Sequence, residues 1–168
     1  MEVFLFRHGP AETRDPARWP DDEDRPLSRG GARETRRAAR GFARVVGPVD
    51  RIATSPALRA SKSAAALEKA FAGEHVSEVW PELASGTLAA PLLDRLRNQG
   101  RRSPRIVLVG HEPTLGEFIG LALTGEAISL QRLSKAGGAS LEFRRAVRPS
   151  AGRLQWLLTR KQLIGLAP

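Results

Sequence analysis

The 168-residue chain contains no cysteine, which excludes disulfides, thiolate-ligated zinc and a thiolate nucleophile. It also lacks any apolar run near the roughly 18 residues that a membrane span requires. Its first residues include Glu2 and only four apolar positions, 3–6, too little for a secretory leader, so a mature start and a cytoplasmic location are expected. Repeats, low-complexity tracts and inter-core linkers are missing, and one domain over 1–168 is the expectation. Neither a Walker loop nor a GxGxxG occurs, so nucleotide binding by those routes has no support. Lysine is scarce, at 62, 69, 135 and 161, and arginine supplies the other 23 of the 27 basic residues. The resulting net charge of +9 points to an anionic partner without choosing among phosphate, nucleic acid and an acidic protein.

Apolar runs of strand length recur at 3–6, 49–53, 76–80 and 106–109, separated by segments of helical period at about 28–46, 57–72, 87–99 and 114–123. Such alternation predicts an α/β fold with a mainly parallel sheet. In the first helix Arg33, Arg36, Arg37, Arg40 and Arg44 share one arc, opposite Ala39, Phe42, Ala43 and Val46. No aromatics interleave these arginines, so a solvated basic face is favoured over a nucleic-acid surface. Beyond residue 137, "GGASLEFRRAV" and "GRLQWLLTRKQ" read as two strands of an antiparallel hairpin at one edge of the sheet. The proline-rich stretch 10–27 reads as a long loop, and its run Asp21, Asp22, Glu23, Asp24 as a solvated acidic segment rather than a cation site. Trp80 and Trp156 are expected in packing roles, and Trp19 as a loop anchor.

In open parallel sheets ligands bind beyond the carboxyl ends of the strands. One predicted strand runs into Arg7-His8-Gly9. Another runs into "TSPALRAS", with Ser55 as the expected N-cap, Pro56 at the first helical position and Arg59 a turn in. A third reaches Pro81-Glu82, and "RIVLVG" reaches Gly110-His111. Two of the three histidines thus lie on one rim beside a glycine that lets backbone or ligand come close, while His75 reads as surface. Either histidine alone would suit a structural role. Together with Arg7 and Arg59 they suit phosphoryl chemistry, because guanidinium forks match phosphate oxygens and a neutral imidazole can attack phosphorus.

The pieces "VFLFRHG", "RPLSRGG", "IATSPALRASKSA", "WPEL" and "VLVGHEP" occur in this order from residue 3 to about 115. In them the chain resembles the histidine phosphatase (phosphoglycerate mutase-like) superfamily, and within it the small SixA-type phosphohistidine phosphatases. The resemblance implies a three-layer fold, with a central, mostly parallel sheet between helices. It implies His8 as the residue phosphorylated in turnover, with Arg7, Arg59 and His111 completing the phosphate pocket; Ser55 is read first as an N-cap and second as a phosphate contact. Glu82 is nominated as general acid by its strand-end position and by the acidic position of mutase-like relatives, against a plain salt-bridging role. No cofactor and no metal are required.

Pro10-Ala11-Glu12 follows RHG where many phosphatases and mutases of the superfamily carry a polar Glu-Ser or Glu-Thr segment, closer to the SixA type. Only 28 residues separate Glu82 from His111, too few for a large helical cap, so a shallow pocket is expected. Such a pocket suits phosphohistidine on a protein surface, and imidazole leaves without strong acid help. The alternatives are a small-molecule phosphomonoesterase, a mutase, or a non-catalytic phosphate-binding module. Nucleic acid and membrane are not expected partners, and the sequence does not fix the oligomeric state.

Overall fold

A computed structural model of the chain describes residues 1–71, 73–99 and 104–168. Among these residues six strands form one sheet: β1 (Glu2–Arg7), β2 (Arg51–Thr54), β3 (Val76–Val79), β4 (Arg105–Gly110), β5 (Gly138–Glu142) and β6 (Arg153–Leu158). Their order is β3-β2-β4-β1-β5-β6. The pairs β1–β4, β2–β4 and β2–β3 are parallel, whereas β5 runs antiparallel to β1 and β6. The mostly parallel sheet and its C-terminal antiparallel edge therefore match the pattern reading.

Among the described residues five α-helices cover the sheet: α1 (Arg29–Val46), α2 (Leu58–Glu68), α3 (Ala89–Gln99), α4 (Thr114–Thr124) and α5 (Arg160–Leu166). Because side chains alternate along a strand, β1 sends Val3 and Leu5 to one face and Phe4 and Phe6 to the other. The first face joins Ile106 and Leu108 to Leu92 and Leu96 of α3 and Phe118 of α4. The second joins Ile52, Val107 and Val109 to Phe42 of α1, Leu67 of α2 and Leu163 of α5. Burial on both faces explains why β1 and β4 are continuous apolar runs without alternation. Trp80 is fully buried, and Trp156 packs against the rings of Phe4 and Phe42. Trp19 is half-buried under the Arg18 guanidinium.

Several boundaries differ from the pattern reading; the strand read over "GGASLEFRRAV" ends at Glu142, and the one read at 49–53 spans Arg51–Thr54. The last predicted strand ends at Leu158, because Thr159 and Gln162 form a reciprocal capping box that starts α5. The second predicted helix ends at Glu68; residue 72, its expected end, lies outside the described residues. That helix also starts later than expected, with Ala57 as N-cap and neither Ser55 nor Pro56 in the predicted place. Ser55 Oγ instead accepts the Ala57 N–H at 3.2 Å, a side-chain turn that precedes the helix. α1 begins as expected, Ser28 Oγ accepting from Gly31 N–H, and its arginine arc is exposed.

α5 lies close on α1 because Gly41 has no side chain: a Cβ there would sit 1.8 Å from the Leu163 carbonyl oxygen. Gly41→Ala should therefore destabilise the fold by about 1–3 kcal/mol through forced separation of these helices. Gly30, in the first turn of α1, has nothing within 4 Å of its Cβ position. Gly30→Ala should gain up to about 1 kcal/mol from helix propensity. Thermal denaturation of the two variants should show melting-temperature shifts of opposite sign, and equal shifts would contradict this packing.

Candidate active site

β2, β4 and β1 are neighbours, and their registers bring their carboxyl ends level: Arg7 lies opposite Gly110, and Thr54 opposite Val109. The chain then leaves all three strands at one rim. There His8 N–H donates to the Gly110 carbonyl at 3.0 Å and Ser55 N–H to that of Val109 at 2.9 Å. This places His8 and His111 with ring centroids 4.8 Å apart, both almost wholly buried. Arg59 arrives from the first turn of α2 and is only 2% exposed.

Each side chain is held from behind. His8 Nδ1 lies 2.7 Å from the Gly9 carbonyl, which can only accept, so Nδ1 carries the proton and Nε2 keeps its lone pair. Gly9 N–H donates to Ser63 Oγ at 3.0 Å, and Ser63 Oγ donates to the Arg59 carbonyl at 2.7 Å. A Cβ on Gly9 would stand 1.8 Å from Thr35 Oγ1, so this glycine admits α1 to the end of the strand. Arg7 Nη1 donates to the Leu133 carbonyl at 2.7 Å, and Leu133 N–H donates to Glu112 Oε1 at 3.1 Å. Arg59 Nη2 pairs with Asp22 Oδ2 at 3.0 Å, and its Nη1 donates to the Asp22 carbonyl. Asp22 also holds Arg25 at 2.9 Å.

These groups line a cleft of about 300 Å³. Arg7, His8, Arg59 and His111 form its inner part, and Arg14, Arg25, Lys135, Asp22, Glu112 and Ser85 the rest. Arg7 Nε and Arg59 Nε are buried without a hydrogen-bond partner. Two guanidinium donors with spare capacity beside an imidazole lone pair suit a tetrahedral or trigonal oxyanion. Among the described residues no three His, Asp or Glu side chains gather into a group that could hold a metal ion.

Residues 3–85 match the family model described as histidine phosphatase superfamily (branch 1). The chain is 36% identical over 156 residues to an uncharacterised protein of Picosynechococcus sp., covering 92% of this chain and 89% of that protein. The chain belongs to the histidine phosphatase superfamily. It is also 28% identical over 145 residues to the phosphohistidine phosphatase SixA of Escherichia coli (strain K12), covering 84% and 86% of the two chains. The solved structure of the protein histidine phosphatase SixA complexed with tungstate superposes with a TM-score of 0.82 at 22% identity, covering 97% of this chain and 99% of that one. That likeness shows the phosphoglycerate mutase-like fold.

Of the residues singled out in this histidine phosphatase sequence, Arg7, His8, Arg59 and His111 meet in the cleft. Ser55 is fully buried behind it, its Oγ 2.8 Å from His111 Nε2, so it orients that ring. Glu82 sits in the 3-10 turn Pro81–Leu83 and does not line the cleft. One of its carboxylate oxygens is buried without a hydrogen-bond partner, and its carbonyl accepts from Thr87 Oγ1. His75 lies away from the rim, edge-on to Phe71. Pattern reading missed Asp22 as an arginine anchor, together with Arg25, Glu112 and Lys135. Arg25 and Glu112 stand inside the quoted "RPLSRGG" and "VLVGHEP", Glu112 next to the chosen His111. Asp22 gave no local signal beyond its place in an acidic run.

Burial and the neighbouring His111, Arg59 and Arg7 push His8 down to about 3, against the raising effect of the Gly9 carbonyl. Burial, then Arg59 and Arg7, push His111 down to about 4. Both rings are therefore neutral at pH 7. An unfolded histidine titrates near 6.5, so between about 6.5 and 4 the unfolded chain binds protons that the folded one refuses. Folding stability should fall as pH drops through that window. His8→Asn should flatten the dependence between pH 6 and 4 by up to about 1 kcal/mol per pH unit in urea unfolding. An unchanged slope would mean that His8 is not held neutral.

Proposed function

We propose that the chain hydrolyses phosphohistidine on a protein through a covalent phospho-His8 intermediate. The observation that carries this reading is the His8 tautomer: Nδ1–H on the Gly9 carbonyl leaves Nε2 as a nucleophile in a cleft lined by half-buried Arg7, buried Arg59 and His111. The names of the SixA relatives support the substrate class. Tungstate, held by one of them, is a tetrahedral oxyanion like phosphate.

In the first step Nε2 attacks phosphorus in line, the new P–N bond forms, and the bond to the substrate imidazole breaks. The departing ring takes the electron pair and leaves neutral, because its other nitrogen carries a proton. Arg7 and Arg59 neutralise the charge on the equatorial oxygens, and His111, oriented by Ser55, donates to one of them. In the second step water attacks phospho-His8, the P–Nε2 bond breaks and phosphate departs. No metal or cofactor enters either step. The chain acts as one domain over 1–168, and among the described residues the β3–β4 connection holds the 3-10 turn Pro81–Leu83 and α3 where a larger cap would stand. The shallow cleft then admits a side chain presented on a protein surface.

A second reading has one observation in its favour. Glu82 lies outside the cleft lining, but its unpartnered buried oxygen belongs to a carboxylate that, turned toward the cleft that Ser85 lines three residues on, could protonate an alkoxide leaving group in a small-molecule ester. The two readings separate when free phosphohistidine and p-nitrophenyl phosphate are offered in parallel to wild type, His8→Ala and Glu82→Gln. Wild type and Glu82→Gln should both turn over phosphohistidine and trap an acid-labile, base-stable phosphoenzyme. His8→Ala should lose at least about a thousandfold in kcat/KM. Full activity in His8→Ala would sink the mechanism, and ester turnover that exceeds phosphohistidine turnover and collapses in Glu82→Gln would replace the substrate.

A further inference from the structure

The seam between α1 and α2 leads away from the candidate active site. Its near end is floored by Leu27, Ala32, Ala65 and Ala66 and flanked by Arg36 and Lys62. Its far end is floored by Ala43, Ala70 and Phe71 and flanked by Arg40 and Arg44, and Lys69 stands at the junction of the two. The hollows measure about 400 and 420 Å³ and follow one another along the same pair of helices. Among the described residues no Asp or Glu side chain lines either one, and Pro168 closes the far hollow beside Gly47 and Pro48.

The flanking cations repeat at helical spacing. Arg36, Arg40 and Arg44 are successive turns of α1; Lys62 is on α2, and Lys69, two turns on, is its C-cap. Among the described residues none of these five is ion-paired or hydrogen-bonded through its side chain. Glu34, the one acidic residue of α1, is committed to Arg160 at 3.1 Å. A row of unpaired like charges repels itself and is relieved by an anionic ligand.

The seam is also continuous with the cleft. Arg25 lines the cleft while the next two residues, Pro26 and Leu27, line the near hollow. On α2, Lys62 precedes Ser63, whose hydroxyl holds the Gly9 N–H beside His8. An occupant of the seam would therefore end next to the nucleophile.

We propose that this seam docks an acidic amphipathic helix of the phosphohistidine-bearing protein, its narrow apolar stripe on the alanine floor and its carboxylates against Arg36, Arg40, Arg44, Lys62 and Lys69. The floor favours a protein helix over nucleic acid. Half-buried alanines accept a packed apolar stripe, whereas a sugar-phosphate backbone gains nothing from them, and Phe71, the aromatic of the seam floor, is only 8% exposed, too little to stack on bases. α1 is 18 residues, so at about 1.5 Å per residue the seam takes four to five turns of a partner helix. The proposal rests on the phosphohistidine reading for the identity of the partner, but not for the existence of the docking surface.

The test uses a fluorescein-labelled 18-residue peptide with an alanine-leucine stripe between glutamates, its lysine counterpart, and a labelled 20-base-pair DNA duplex. Each is titrated into wild type and into the triple variant Arg36→Glu, Arg40→Glu, Lys69→Glu, none of which lines the cleft. Wild type should bind the glutamate peptide at least tenfold more tightly than the lysine peptide, with affinity falling as salt rises. The triple variant should lose at least tenfold, and the milder variant with Gln at the same three positions should lose part of it with an unchanged melting temperature. In parallel, kcat/KM for free phosphohistidine should stay within twofold in the triple variant, while that for the glutamate peptide carrying a terminal phosphohistidine falls tenfold or more. Equal binding of the glutamate peptide by wild type and variant overturns the docking surface, as does tighter binding of DNA that the same substitutions abolish. Failure to turn over phosphohistidine would fall on the proposed substrate alone, because binding of the unphosphorylated peptide reads the seam directly.

Discussion

The arrangement depends on the burial of β1 and β4 on both faces. A strand covered on two sides can carry no polar side chain along its length, so polarity can begin only where the strand ends. Val3, Leu5, Phe4 and Phe6 are almost completely buried, and the next residues are Arg7 and His8. The same holds for the run that stops at Gly110 before His111. Parallel pairing then decides where the polar residues go. Strands that run the same way and end in register deliver their polar termini to one rim, and β2 adds Arg59 through the helix that follows it.

Delivery to one rim creates an electrostatic problem that the 10–27 loop solves. Arg59 and Arg7 bring positive charge into a place with little water, and burial lowers the pKa of both. Two neutral imidazoles keep the total down, and Asp22 adds a counter-charge that binds Arg59 through its carboxylate and its carbonyl. The loop is closed at its base by the Ala11–Leu27 bridge, so Asp22 is carried on a segment tied at both ends. What composition alone made look like a solvated acidic run is therefore in part a wall of the cleft. On the far side Glu112 does related work through the backbone, fixing the Leu133 segment whose carbonyl holds Arg7. Its own pKa is raised, chiefly by burial.

Fold and site were legible in the sequence to different depths. β1, β4, α1 and α4 could be read almost to the residue, because their periods are clean and their ends carry caps or glycine. The four central site residues could be read from their strand ends. α5 could not, since the alternation of β6 runs into it and only the Thr159/Gln162 box marks the change. Ser55 looked like a helix cap because Ser-Pro is a common start, yet its hydroxyl is engaged with His111 and with a turn ahead of the helix. Asp22, Arg25, Glu112 and Lys135 were invisible as a group for a general reason. They converge through loops, and loop geometry is set by closure and long-range pairing rather than by any local period.

Depth of cleft and breadth of surface are linked in this chain. An enclosed pocket gains affinity by surrounding its ligand, but a cleft of about 300 Å³ without a cap touches little of the substrate beyond the phosphoryl group. Tight binding of the phosphoryl group alone would also retain phosphate, the product, and slow release. Under the proposed reading, recognition has to come from outside the cleft, from surface that the dephosphorylated partner leaves together with its side chain. The α1–α2 seam meets that requirement by position, because it begins at Leu27 beside Gly9, and by charge, because its cations are not spent on neighbouring carboxylates. The arginine arc of α1 is then the counterpart of the missing cap: what a larger relative would achieve by covering its substrate, an open enzyme can achieve by holding the protein that carries it.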